Sequence, residues 1–163
     1  LDIKKRKRQR LFGYDYKKPG GYYITISIDS SQIKLGKIHN QRMKLNKLGS
    51  IVDKCWKDLP NHYVNIKLDE YVIMPDHFHA IIHIIGPITL RNGLKPFRTH
   101  GLSEIVRAFK TFSSREINDQ LTERNFKWHK SFNDRIIRKF NNEIENFRFF
   151  IRNNPKNYLK EKH

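Results

Sequence analysis

The apolar residues of this chain switch between a period of two and a period of about 3.6, in an order that few architectures accommodate. Tyr22, Ile24, Ile26 and Ile28 alternate with Tyr23, Thr25 and Ser27, the pattern of a strand buried on one face. Ile33 to Leu45 reads as a small hairpin turning near Asn40. Leu48, Ile51, Val52, Cys55, Trp56 and Leu59 then fall on one helical stripe, which Pro60 is expected to stop. Val64, Ile66 and Leu68 begin a second strand that runs on through Tyr71 to Met74, and Pro75-Asp76 makes a tight connection. His77 to Ile85 forms a third strand, with β-branched bulk from Ile81, Ile82, Ile84 and Ile85. The segment 86–101 has no clear period and reads as a long functional or mobile loop. Leu102, Ile105, Val106 and Phe109 share the stripe of a second helix. Phe132 to Arg138 reads as a fourth strand, and Asn141 to Asn153 as a last helix that Pro155 ends.

The order β-α-β-β-α-β plus a terminal helix places the chain in the α+β class. It predicts a ferredoxin-like palm with an antiparallel sheet, a small inserted hairpin and a C-terminal helix. At 163 residues the expectation is one core. Residues 1–20 are read as a basic arm, 21–158 as the domain and 159–163 as a tail. The sequence holds 33 Lys and Arg against 16 Asp and Glu, a net charge of +17 that favours a polyanionic partner, nucleic acid before membrane. No run of about 18 apolar residues is present to span a bilayer. The basic start lacks the apolar stretch of a secretory signal. Cys55 stands alone, so no disulfide framework is expected and a reducing compartment fits. These features lead to an expected cytoplasmic, nucleoid-associated location.

On a strand, His77 and His79 project from the same face, roughly 6.6 Å apart along the chain, while Phe78 and Ala80 face a core. Two convergent imidazoles suit a divalent ion, and the same spacing also fits two partly exposed strand histidines. His83 shares their parity but lies roughly 13 Å beyond His79, outside any shared coordination sphere, and reads as surface or groove. On the last helix Ile144, Phe147 and Ile151 form the core stripe, with Phe150 and Asn154 as i, i+4 neighbours beside it. From the spacing alone, Phe150 as packing and Asn154 as a C-cap is the better fit.

Tyr71-Val72-Ile73-Met74-Pro75-Asp76-His77-Phe78-His79 resembles the signature of HUH-class single-strand DNA transposases, the tyrosine transposases. The nearest branch is the REP-associated tyrosine transposases and their relatives. The same resemblance extends through Gly13-Tyr14-Asp15-Tyr16, Gly21 to Thr25, Ile105 to Lys110, Trp128, Ile136-Ile137-Arg138 and Ile151 to Pro155, in order along nearly the whole chain. It implies a metal held by His77 and His79, with Asn154 as third ligand and Mg²⁺ or Mn²⁺ as cofactor. It also implies a tyrosine nucleophile on the last helix, forming a 5′-phosphotyrosine beside hairpin-forming DNA. That tyrosine position holds Phe150, which has no hydroxyl. Its origin is either an engineered replacement or a natural lineage that lost cleavage. Tyr158 lies beyond Pro155 and is not expected to substitute. Asn133 and Arg135 stand where relatives often carry histidines.

Phosphate contacts are expected from Lys4, Lys5, Arg6, Lys7, Arg8 and Arg10, then Lys17 and Lys18, and more weakly from Arg107, Lys110 and Arg115. Tyr14, Tyr16 and Tyr23 are candidates for stacking on unpaired bases. The partner is single-stranded or hairpin DNA, with the protein a monomer or homodimer and no membrane involved. The competing reading is a binding-only RRM-like sheet, or a domesticated DNA-binding protein, that needs no metal. A water-using hydrolase is weaker, since the nearest carboxylate, Asp76, sits on the adjacent turn.

Overall fold

A computed structural model describes residues 11, 13–29, 32–86, 98–138 and 142–158 of the chain. The period-two runs become strands and the stripes become helices. In chain order these are β1 (Gly20–Ser27), β2 (Gly36–His39), β3 (Arg42–Leu45), α1 (Lys47–His62), β4 (Ile66–Ile73), β5 (His77–Ile84), α2 (Leu102–Asn118), β6 (Asn133–Ile137) and α3 (Glu143–Asn157). Four strands form one antiparallel sheet in the order β4-β5-β1-β6, and β2 and β3 pair as a separate two-stranded ribbon. This is the ferredoxin-like palm with its inserted hairpin and C-terminal helix.

The sheet separates two unequal layers. Tyr22, Ile24 and Ile26 of β1 and Phe78, Ala80 and Ile82 of β5 pack against α1 and α2. Trp56 of α1 sits at the centre of that layer, its ring 4.9 Å from Phe78 and 5.2 Å from Phe109 of α2. The opposite face carries a much smaller cluster, Tyr23 and Ile81 against Ile151 of α3. Because residues alternate along β5, burial of Phe78 and Ala80 on the large core turns His77 and His79 toward α3.

Asn46 caps α1, its side chain accepting from the Gly49 N–H at 2.9 Å. Gly49 packs so closely on the hairpin root that a Cβ there would collide with the Leu35 carbonyl oxygen. Gly49→Ala is expected to cost about 1–3 kcal/mol, despite alanine's better helix propensity, as read by urea unfolding. A variant as stable as the parent would contradict this close packing.

Two expectations about proline are corrected. Pro60 does not stop α1, which continues to His62, and Pro155 does not end α3, which continues to Asn157. Each proline sits in the last turn, where its missing N–H removes one backbone bond. The turn still closes through Tyr63 N–H to Leu59 O and Tyr158 N–H to Asn154 O, both 3.0 Å. A further departure is a register shift between Leu68 and Tyr71, where β4 presents Asp69 and Glu70 opposite one residue of β5. The bulge lets both carboxylates meet α3, Asp69 with Arg148 and Glu70 with Arg152.

Candidate metal centre

The imidazoles of His77 and His79 lie with ring centroids 4.6 Å apart, nearly perpendicular. Each ring is held through Nδ1. His77 Nδ1 is 2.7 Å from Asp76 Oδ1, a carboxylate that can only accept, so Nδ1 is the donor and Nε2 is the nitrogen turned to any ligand. His79 Nδ1 meets the Tyr23 hydroxyl at 2.8 Å and the Thr25 hydroxyl at 2.9 Å. With Nδ1 protonated and donating to one of these oxygens, Nε2 of His79 is left as a lone pair. Burial, with His77 beside it, pushes the pKa of His79 down to about 3, so it is neutral at physiological pH. Rings fixed through Nδ1 by oxygen partners are what ligation through Nε2 requires.

Asp76 organises the other side. Burial raises its carboxyl pKa, but hydrogen bonds to His77 and Tyr158 outweigh this and hold it at about 2. The Tyr158 hydroxyl donates to Asp76 Oδ2 at 2.8 Å, and Lys34 Nζ lies 3.7 Å from the same oxygen.

One face of α3 covers the pair. The Phe150 ring lies 5.5 Å from that of His79, and the Tyr158 ring 6.1 Å from that of His77. Asn154 is one turn from each on the same face, bracketed between the two contacts, and it is 7% exposed. Helical spacing therefore puts Asn154 on the face of α3 that meets the two histidines. Among the described residues no three His, Cys, Asp or Glu side chains gather to hold an ion. The candidate set instead combines two imidazoles with an amide oxygen.

A helix broken at Pro155 would carry Tyr158 away from the histidines. The continuous helix instead places it against His77. Its hydroxyl donates to Asp76, which meets His77 on the Nδ1 side of the ring. Tyr158→Phe is expected to weaken Mn²⁺ binding by about tenfold, measured by calorimetry. An unchanged affinity would show that the Tyr158–Asp76–His77 chain does not orient the ring. Tyr23 and Thr25, the ring partners of His79, lie 56 and 54 residues from it in the chain, so no local pattern reveals them.

The remaining candidates fall elsewhere. Phe150 is 42% exposed, with its ring 6.3 Å from that of Tyr23. His83 is no bare surface residue: its Nε2 is 2.8 Å from Asp69 Oδ2, in the network that anchors α3. Tyr14 and Tyr16 pack on each other and on Tyr22, with centroids 5.1 to 6.4 Å apart. Lys110 donates to the carbonyls of His129 and Ser131, both at 3.0 Å, and thereby ties α2 to the segment before β6. Arg107 lines a cavity of about 530 Å³ with Lys17 and Lys130, on the face of the sheet away from the histidines. Lys4, Lys5, Arg6, Lys7, Arg8 and Arg10 lie outside the described residues. No described helix is long and apolar enough to cross a membrane.

No family model matches the chain. A Haemophilus influenzae Rd protein, described as uncharacterized, is 33% identical over 165 residues, covering 94% of this chain and 89% of that protein. The chain belongs to the family of that protein. Among solved structures, a REP-associated tyrosine transposase bound to a REP hairpin superposes with a TM-score of 0.64 over 91% of this chain and 74% of that one, at 15% identity. That likeness is one of fold: the chain has a transposase-like fold.

Proposed function

We propose that the chain is a metal-dependent, single-strand DNA nuclease or transposase of the HUH class that carries Phe150 at the position of the nucleophilic tyrosine. The observation that carries this reading is the paired imidazoles: both rings are fixed through Nδ1, face one helix and lie beside the position where a nucleophile would stand. His77, His79 and Asn154 would hold Mg²⁺ or Mn²⁺, which when bound would polarise a scissile phosphate and offset charge on its oxygens. Tyr23, Thr25 and Asp76 keep the rings in place, and Tyr158 keeps Asp76 in place. Phe150 presents an aromatic edge where the attacking hydroxyl would be, so cleavage by the tyrosine route is closed to this chain. The transposase-like fold and the charge of +17 support hairpin-forming DNA as the partner. A binding-only sheet needs no such pair of rings, and that separates the two readings. The test is to restore the hydroxyl with Phe150→Tyr and look for a metal-dependent covalent adduct with hairpin-flanked single-stranded DNA.

A further inference from the structure

The β2–β3 hairpin is built against its own stability. Register places Lys37 directly opposite Lys44 and His39 directly opposite Arg42, so two like or potentially like pairs face each other across one side of a two-stranded ribbon. Like charges in that position repel. Lys37, His39, Arg42 and Lys44 are all exposed, and none has a hydrogen-bond or ion-pair partner among the described residues. Elsewhere the chain does neutralise its cations, as with Lys57 on Asp53, Arg148 on Asp69 and Arg152 on Glu70. No acid occurs between Asp29 and Asp53, so the ribbon has no counter-charge of its own. The tip is also unusual. Asn40 and Gln41 both have positive φ, 47° and 60°, and glutamine stands where a turn of this kind favours glycine. The root, in turn, is fixed firmly to the candidate metal centre. Leu35 N–H donates to Pro75 O at 3.0 Å, two residues before His77, and Lys34 approaches Asp76.

From these observations we infer that β2–β3 is a grip for duplex DNA, the stem of a stem-loop whose single-stranded flank runs to His77 and His79. A two-stranded ribbon matches the B-form major groove, about 12 Å wide. Lys37, Lys44, His39 and Arg42 take the phosphates along the groove, and the amides of Asn40 and Gln41 reach base edges. The groove of an RNA duplex is too deep and narrow for the ribbon, which makes DNA the occupant. The inference rests on the DNA-handling reading above but on different residues from the metal centre.

The experiment measures binding of the full chain to a labelled DNA stem-loop with a single-stranded tail, to the tail alone and to the same stem-loop in RNA, each across a salt series. Lys37→Gln with Arg42→Gln and Lys44→Gln is expected to weaken stem-loop binding at least tenfold. It should lower the salt slope by about 2.7, three phosphate contacts' worth. It should leave tail binding within twofold and raise the melting temperature, because the cross-strand repulsion is gone. Gln41→Gly, which suits the same turn, should keep the fold and still weaken stem-loop binding severalfold. Stem-loop affinity within twofold of the parent in the triple variant overturns the inference, as does an equal loss on the tail alone or equal binding of the RNA stem. Mn²⁺ titration of the same proteins separates the two readings. Stem-loop losses in a chain that binds no Mn²⁺ keep the grip and remove the metal centre. Mn²⁺ binding with no stem-loop loss does the reverse.

Discussion

Phe150→Tyr is expected to turn a chain that forms no covalent complex into one that forms a denaturation-resistant adduct with hairpin-flanked single-stranded DNA in the presence of Mn²⁺. The Phe150 ring already lies 5.5 Å from that of His79 and the residue is 42% exposed, so the substitution adds a hydroxyl beside the histidines without entering the core. Stability should change by no more than about 0.5 kcal/mol, as for other surface substitutions. In the step itself the tyrosine oxygen bonds to phosphorus and the bond from phosphorus to the 3′ oxygen breaks. The phenolic proton leaves to solvent, and the 3′ oxygen takes one up. The gain in adduct formation should be at least about 10³-fold, the scale on which loss of a covalent nucleophile is felt. Denaturing gel electrophoresis and mass mapping of the modified residue read it out. A variant that binds Mn²⁺ and DNA across a panel of hairpins yet yields no adduct sinks the cleavage reading.

Asp69→Ala should produce the largest loss of stability at this end of the molecule. Asp69 accepts from Arg148 Nε at 3.0 Å, Arg148 Nη2 at 2.6 Å and the Glu70 N–H at 2.7 Å, with His83 Nε2 at 2.8 Å. The apolar layer beneath α3 is thin, with Ile151 its only fully buried aliphatic among the described residues of the helix. The ion pair therefore carries much of the docking. With Asp69 12% exposed and Arg148 29% exposed, removing the carboxylate should cost about 2–3 kcal/mol, somewhat less than for a fully buried pair. Burial raises the Asp69 pKa, but Arg148, His83 and the Glu70 amide together hold it well below the usual carboxylate range. A folded-state pKa depressed in this way gives stability that is present above the unfolded value of about 3.9 and is lost as pH falls toward the folded value. The gap between parent and variant in urea unfolding should accordingly be full at pH 7 and shrink below about pH 4. Equal stability at pH 7 would contradict this anchoring role.

The sequence patterns carried most of the architecture. Alternation in β1 and β5, and the stripes at Leu48–Leu59 and Leu102–Phe109, each depend on neighbours within a few positions. That is why the layer order and the shared face of His77 and His79, opposite the large core, were legible. The two prolines misled for a physical reason: a proline costs most in a helix interior, and here each falls in the final turn with a single bond to lose. That error hid the Tyr158–Asp76–His77 chain, which exists only if α3 runs through Pro155. The bulge at Asp69 and Glu70 left no trace, because two acids in a strand look the same whether they alternate or share a face. The hydroxyls on His79 come from β1, and only the pairing of β1 with β5 brings them there.

The central claim is that His77 and His79, with Asn154, form a metal-binding corner, and calorimetric titration with Mn²⁺ tests it most directly. The parent chain should bind one ion per chain, and Asn154→Ala should weaken that binding. His77→Ala with His79→Ala should abolish it while the fold survives by circular dichroism. Mn²⁺ binding of undiminished affinity and stoichiometry in the double variant would contradict the assignment.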